Sequence, residues 1–244
     1  MIILRYPDSW DGFLSALSEA SDRRGQELTL RRQSSPATFY ETIEVETADA
    51  LARKAEKALQ SLGKAVPEMI YQAWLSEHED IETAILGFLR HGFALKCDPF
   101  GDMTHPDVRT VRGAARDVGW EAHRMLQFVR FVQSPEGIYI ADIEPLYDIL
   151  LLIAKHFHGR FNDQKLMIRD LRRRKALVSR TEGWAVADLG DGPLPPLPRD
   201  SEFEDMWRGY FKAIANPARK NLKLQQQFVP LRYRAHLTEF QQES

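Results

Sequence analysis

The residues from 123 to 180 place the strongest constraint on the fold, because two hairpin patterns flank one helical pattern there. Residues 128–133 and 138–143 are rich in β-branched and aromatic side chains, and a turn ending in Gly137 separates them. Residues 146–161 carry apolar side chains every three or four positions, which is the spacing of an amphipathic helix. This stretch therefore predicts two strands followed by a helix.

A second hairpin is predicted from residues 165–170 and 175–180, and residues 183–186 are a candidate for one more strand. The order β-β-α-β-β predicts an α+β fold, with an antiparallel sheet formed by two hairpins around a central helix. The helix is expected to pack on the sheet through four apolar side chains, namely Ile149, Leu150, Ile153 and Phe157.

Helical patterns surround this core. Residues 1–98 read as a mostly helical N-terminal region with short strands, and 98–106, with two prolines and a glycine, as a linker. Residues 107–125 predict a long helix, from which Arg109, Arg112 and Arg116 project away from the apolar stripe. The second predicted domain is 107–244, an α+β core with basic C-terminal helices.

Several classes of site are excluded by residues that the chain lacks. Its one cysteine, Cys97, excludes an internal disulfide and a four-thiolate metal or iron–sulfur site. His156 and His158 project from different helix faces, and phosphate-binding glycine loops are absent, so neither a metal nor a cofactor is predicted. No segment has the length of a membrane span, and the N-terminus does not read as a signal peptide, so we expect a cytoplasmic protein that does not bind membranes.

The net charge of −2 conceals an uneven distribution of charge along the chain. Residues 1–104 carry 11 basic and 17 acidic side chains, whereas residues 105–184 carry 14 basic and 10 acidic ones. Residues 207–236 hold seven basic residues and no acidic one. A basic half suits a polyanionic partner. The alternative is that these cations form solvated helix faces and salt bridges to the acidic half.

Three residues are candidates for catalysis: His156, Asp170 and Glu144. His156 and Arg160 are four apart and share a helix face, and we expect them to meet Arg130, Glu144 and Asp170 in one polar pocket. Each has a simpler interpretation as well. His156 is then a partly buried core histidine, Glu144 bonds turn amides or Arg130, and Asp170 pairs with an arginine of its own turn.

Ten residues are candidates for nucleic-acid binding, because arginines, lysines, amides and aromatic rings contact phosphates and bases. Tyr233 is expected to stack on a base. The alternative is a C-terminal helix salt-bridged to the acidic N-terminal half. The candidates are His123, Arg124, Arg130, Arg160, Arg173, Arg219, Asn221, Lys223, Arg232 and Tyr233.

An ordered series of short motifs resembles a bacterial family assigned to DNA metabolism, a domain of unknown function. The resemblance covers roughly residues 70–240, and Arg234 stands where the family has a tryptophan. The motifs are His123-Arg124, Ile143-Glu144-Pro145, His156-Phe157-x-x-Arg160-Phe161, Ile168-x-Asp170-x-x-Arg173, Asn216-Pro217-Ala218-Arg219-x-Asn221 and Pro230-x-Arg232-Tyr233.

The resemblance implies a setting in DNA modification or repair. Members of that family are typically encoded beside a radical-SAM protein, and some are fused to a uracil-DNA-glycosylase-like domain. We therefore expect an accessory protein that binds DNA together with a radical-SAM partner. Two alternatives stay open, an enzyme of glycosylase or nuclease type that acts directly on DNA, and a protein–protein adaptor.

Overall fold

The computed structural model divides the chain into two compact units, residues 1–119 and 120–244, here called the first and second units. The division falls inside one long helix, whereas the sequence predicted it at the linker of residues 98–106. At residues 222 and 224 only the backbone is described. The residues that the structure describes are 1–23, 25–36, 38–197, 206–207, 209–210, 213 and 221–240.

The first unit contains a three-stranded sheet of order β2-β1-β3, in which both pairs are parallel. Ser9 begins the first helix, because its hydroxyl accepts a hydrogen bond from the Gly12 amide at 3.0 Å. This unit thus has more residues in helices than in strands. Its elements are β1 (Ile2–Tyr6), α1 (Trp10–Asp22), β2 (Leu28–Arg32), β3 (Glu41–Glu44), α2 (Asp49–Leu62), α3 (Val66–Leu75), α4 (Ile81–Leu95) and the first part of α5 (Pro106–Phe128).

A buried polar chain crosses the core of the first unit. Trp74 Nε1 donates to the Tyr6 hydroxyl at 3.0 Å, and that hydroxyl donates to Glu82 Oε1 at 2.8 Å. Arg32 lies 3.3 Å from the same carboxylate and 4.4 Å from the centroid of the Trp74 ring. Burial, reinforced by the Glu82 charge, raises the pKa of Tyr6 above its usual range. These buried polar groups satisfy one another, so we assign them a structural role.

The predicted linker at residues 98–106 is ordered, with a 3-10 turn at Pro99–Gly101 whose Pro99 is buried. Just beyond that turn, Asp102 accepts hydrogen bonds from His91 Nε2 at 2.9 Å and from the Thr104 hydroxyl and amide. The imidazole rings of His91 and His105 stack with their centroids 4.2 Å apart. Hydrogen bonds from Thr104 and His91 lower the pKa of Asp102 to about 2.

We expect Asp102→Asn to destabilise the protein at neutral pH and to lose this effect in acid. Because the folded-state pKa of Asp102 is depressed from 3.8 to about 2, its contribution is present above pH 4 and is lost as the pH falls toward 2. Urea midpoints of the wild type and the variant, measured across this range, test the expectation. Asp49→Asn, at an exposed position of α2, is the control. A difference between wild type and Asp102→Asn that stays constant with pH would contradict it.

The second unit is built around a five-stranded sheet of order β4-β5-β6-β7-β8. Together with the first unit it gives an α+β fold, with eight α-helices and two sheets in the described ranges. No helix within those ranges is long and apolar enough to cross a membrane. After the last part of α5, the elements are β4 (Val132–Gln133), β5 (Ile138–Ile143), α6 (Leu150–Arg160), β6 (Lys165–Asp170), β7 (Lys175–Arg180), β8 (Gly183–Asp188), α7 (Leu222–Phe228), α8 (Leu231–Arg234) and a 3-10 turn at Thr238–Phe240.

The sheet is mixed, which corrects the predicted antiparallel β-β-α-β-β arrangement. Both hairpins are antiparallel, but β5 and β6 pair in parallel, and β8 adds a fifth strand next to β7. The parallel pair follows from the connection, because a helix placed between two strands crosses the sheet and returns the chain in the same direction. The first strand is also shorter than predicted, because α5 continues to Phe128. Arg130 therefore does not lie on a strand.

Helix α6 packs on β7 and β8, as the apolar pattern predicted. The four side chains expected to face the sheet, Ile149, Leu150, Ile153 and Phe157, are all buried. Helix α6 begins at Leu150, four residues later than predicted, and its opposite side carries polar residues toward solvent. The sheet thus forms a scaffold on which the exposed side chains of α6 are held.

Candidate nucleic-acid interface

The last turns of α5 expose an aromatic and basic surface, here called the Trp120 patch and made of Trp120, His123, Arg124 and Gln127. The Trp120 indole is 63% exposed. The Arg124 guanidinium lies 5.9 Å from the centroid of the indole ring, and His123 Nε2 lies 3.3 Å from the Gln127 amide nitrogen. The patch faces solvent because the opposite side of these turns is buried, through Glu121, Ala122 and Met125.

The chemistry of the Trp120 patch suits single-stranded nucleic acid. An exposed indole offers a π face on which a base can stack, while Arg124 and His123 supply donors for a phosphate. Among the described residues, no carboxylate pairs with Arg124 or His123. Sequence reasoning named both of these residues but missed Trp120. Helical geometry gives the missing signal. At a rotation of 100° per residue, Trp120 lies about 200° around the helix axis from the buried Val118, so it points to the exposed side.

His156 and Arg160 share the exposed face of α6, as their spacing predicted, and both are more exposed than expected. The His156 ring lies perpendicular to the ring of its neighbour Phe157, with the two centroids 5.2 Å apart, and His156 is exposed, so it is not a buried core histidine. In the part of the chain that the structure describes, no hydrogen bond or ion pair joins His156 to Asp170 or Glu144. These contacts do not assemble the predicted polar pocket.

Asp170 is buried and held by contacts within its own turn. Its carboxylate is 0% exposed and accepts hydrogen bonds from the Arg172 and Arg173 amides at 3.0 and 3.1 Å. Arg173 Nη1 donates to the other carboxylate oxygen at 3.1 Å, and the same guanidinium donates to the carbonyls of Pro145 and Leu146. Burial raises the pKa of Asp170, and the bonds from Arg173 oppose that rise. The alternative of an ion pair within the turn is confirmed.

Arg130 and Glu144 each contact the C-terminal segment. Arg130 Nη2 lies 3.0 Å from Glu239 Oε1, and Glu239 also accepts a hydrogen bond from Trp207 Nε1 at 3.2 Å. Glu144 is exposed, with one carboxylate oxygen 3.6 Å from His236 Nε2. Arg130 thus neutralises a largely buried carboxylate, which makes it a poor phosphate ligand.

A buried carboxylate, Glu121, joins α5 to the C-terminal segment. It is 2% exposed and accepts hydrogen bonds from the Leu146 amide at 3.1 Å, the Tyr147 amide at 2.9 Å and the Tyr233 hydroxyl at 2.6 Å. Arg232 donates to the Tyr233 hydroxyl at 2.7 Å. Burial and the bond to Glu121 raise the pKa of Tyr233 to about 12. Because Tyr233 is only 3% exposed, its ring is not available to stack on a base, which corrects the expected role.

The remaining candidates lie in the C-terminal region. Asn221 and Lys223 are exposed at the start of α7, where a nucleic acid can reach them. Arg219 lies outside the described residues. The structure thus leaves His123, Arg124, Arg160, Asn221 and Lys223 accessible, and it places Arg130, Arg173, Arg232 and Tyr233 in contacts within the protein.

Comparisons with known proteins give a family and no activity. No curated protein matches the chain. One solved structure, titled as the DHH domain of a member of a family of ribosomal proteins, has 11% sequence identity and a TM-score of 0.33, covering 72% of this chain and 73% of its own. At that TM-score the likeness does not establish a common fold. The model of DUF4130, a domain of unknown function, matches residues 79–239, about two thirds of the chain, and the protein therefore belongs to the DUF4130 family.

Proposed function

We propose that this protein binds nucleic acid as an accessory protein of DNA modification or repair, acting with a radical-SAM partner. The observation that carries the proposal is the Trp120 patch, in which an exposed indole lies beside a guanidinium that no described carboxylate neutralises. Stacking of one base on an aromatic side chain contributes about 1–3 kcal/mol without regard to sequence. The DNA setting and the partner rest on the family resemblance described from the motifs.

An accessory role is favoured over catalysis by the positions of the catalytic candidates. General acid–base chemistry needs its groups within hydrogen-bond reach of one substrate. Asp170 is held in a buried ion pair. His156 and Glu144 are exposed, and within the described residues no hydrogen bond or ion pair joins His156 to either carboxylate. With Cys97 as its one cysteine, this chain cannot supply the thiolates of an iron–sulfur cluster, so the radical-SAM partner would hold that cluster.

Trp120→Ala is expected to weaken binding to a single-stranded oligonucleotide by about tenfold, because one stacking contact is lost. Arg124→Ala is expected to reduce the slope of log affinity against log salt by about 0.7, the value for one phosphate contact on a single strand. Fluorescence polarisation with a labelled oligonucleotide, repeated across a salt series, measures both. Trp184→Ala is the matched control, since that indole is 40% exposed on β8 of the same unit and is not part of the Trp120 patch.

Binding measurements, together with a test for reaction products, separate the proposed function from the adaptor and enzyme alternatives. Binding by the wild type to neither single nor double strands, alone or with the radical-SAM partner, would rule out the nucleic-acid proposal. A complex with that partner in the absence of DNA binding would support an adaptor. Base release or strand cleavage by the purified chain alone would support an enzyme of glycosylase or nuclease type.

A further inference from the structure

A groove in the first unit is lined by three arginines and is here called the arginine groove. It has a volume of about 390 Å³, and its lining residues are Met103, Arg109, Arg112, Gly113 and Arg116. The arginines occupy positions i, i+3 and i+7 of α5, so they project from one side of the helix. The opposite side of these turns is buried, through Val108, Val111, Ala114 and Ala115.

The charges of the arginine groove are largely uncompensated. None of the described residues that line it carries a carboxylate. Within the described ranges, the Arg109 guanidinium has no hydrogen-bond or ion-pair partner. Arg112 donates a hydrogen bond to the Phe100 carbonyl at 3.1 Å, which orients the guanidinium but does not neutralise its charge. Arg116 pairs with Asp117 at 2.9 Å, and an exposed pair of this kind contributes little and is readily exchanged for another anion.

Gly113 makes the floor of the arginine groove open. Apart from the two neighbouring residues and the backbone of the helix itself, no atom lies within 4 Å of a Cβ placed there, so the space beside the helix is open. Glycine is a poor helix former, and alanine would be more stable at such a position by about 0.5–1 kcal/mol. The consequence of glycine here is that a ligand can approach the helix backbone between the guanidinium groups.

We propose that the arginine groove binds consecutive phosphates of a nucleic-acid strand. The three arginines span about 10 Å along the helix axis, at 1.5 Å per residue, which is longer than one phosphate group, and each strand of a duplex carries one phosphate about every 3.4 Å of its axis. Guanidinium groups bind phosphate oxygens through paired donors. Three cations placed in a line fit a strand better than a single phosphate, which calls for donors that converge on one point. This site rests on the proposed nucleic-acid function but uses residues of the first unit alone.

Gly113→Glu tests the proposal, because it places a carboxylate among the arginines, four residues after Arg109 and three before Arg116. We expect affinity for a single-stranded oligonucleotide to fall by at least about tenfold at low salt and the salt slope to fall by about 0.7, the value for one phosphate contact on a single strand. Gly113→Gln adds the same bulk without the charge, so its affinity should lie between those of Gly113→Glu and the wild type. Gln60→Glu, exposed on α2, adds the same charge outside the groove and is the control.

The outcomes decide between this site and the proposed function. One outcome would overturn the arginine groove as a binding site and keep the proposed function. In it, affinity and salt slope are unchanged in Gly113→Glu and in the triple variant Arg109→Gln, Arg112→Gln, Arg116→Gln, while Trp120→Ala still binds more weakly than the wild type. Absence of binding by the wild type would overturn both. Adenosine monophosphate binding as tightly as the oligonucleotide, and being lost in Gly113→Glu, would overturn the assignment to a strand. Circular dichroism of each variant confirms that the helix is retained.

Discussion

Replacing Glu121 with alanine is expected to destabilise the second unit by about 3–4 kcal/mol. The carboxylate accepts hydrogen bonds from two backbone amides, at Leu146 and Tyr147, and from the Tyr233 hydroxyl. Alanine leaves these three donors without an acceptor in a place where the carboxylate was 2% exposed. Urea unfolding measures the loss of stability. Hydrogen–deuterium exchange at Leu146 and Tyr147 locates it, since both amides should lose protection.

Two further variants show whether the acceptor itself is responsible. Tyr233→Phe removes one donor and leaves the carboxylate bonded to the backbone, so we expect a smaller loss of about 1–2 kcal/mol. His123→Ala, two residues from Glu121 on the exposed side of α5, should change stability by less than about 0.5 kcal/mol. Unchanged exchange at Leu146 and Tyr147 in Glu121→Ala would show that those amides find other acceptors, and the assignment of Glu121 as the joint would then fail.

The fold of the second unit was predictable where the signal is local. Apolar spacing identified α6 and the side chains it buries, because a helix needs one continuous apolar side. Strand direction was not predictable in the same way. Alternation along β5 and β6 reports which side of the sheet a residue faces, but it is the same for parallel and antiparallel neighbours. The crossover made by α6 decides the direction of β6, and the predicted order of a helix between two strands already carried that signal, which sequence reasoning missed.

The candidate site shows the same division between local and long-range signals. The pair of Asp170 with Arg173 spans three residues, so the turn itself indicated it as one interpretation. The bond between Glu121 and Tyr233 joins residues 112 positions apart, and nothing in the local sequence signals it. Tyr233 stands between two arginines, which favoured an exposed ring, yet it is buried against α5. Helical spacing carries the signal for the exposure of an aromatic residue, as at Trp120, where that signal was missed. An irregular segment such as the one around Tyr233 carries no such spacing.

The site residues that sequence reasoning grouped by charge separate into two sets according to whether they lie beside a buried carboxylate. Arg130, Arg173 and Arg232 lie beside carboxylates that are nearly or fully buried, at Glu239, Asp170 and Glu121. Removing such a cation leaves a buried charge, so its loss would lower stability and affect binding only indirectly. The exposed residues, in contrast, can be replaced at little cost in stability. Binding measurements on His123, Arg124, Arg160 and Lys223 variants thus report on function directly.

Asp170→Ala is expected to destabilise the second unit by about 3–5 kcal/mol, because it leaves the guanidinium of Arg173 buried without its anion and two amides without an acceptor. The double variant Asp170→Ala, Arg173→Ala should lose less than the sum of the two single losses, with a coupling of about 1–3 kcal/mol measured from urea midpoints. Arg172→Ala is the matched control, since this neighbour is exposed and bonds Asp170 through its backbone alone.

A catalytic role for Asp170 would predict the reverse pattern, in which Asp170→Ala keeps the stability of the wild type and abolishes a measured turnover of DNA. Additive losses in the double variant would show that the pair is not coupled, and the structural role assigned to Asp170 would then have to be abandoned.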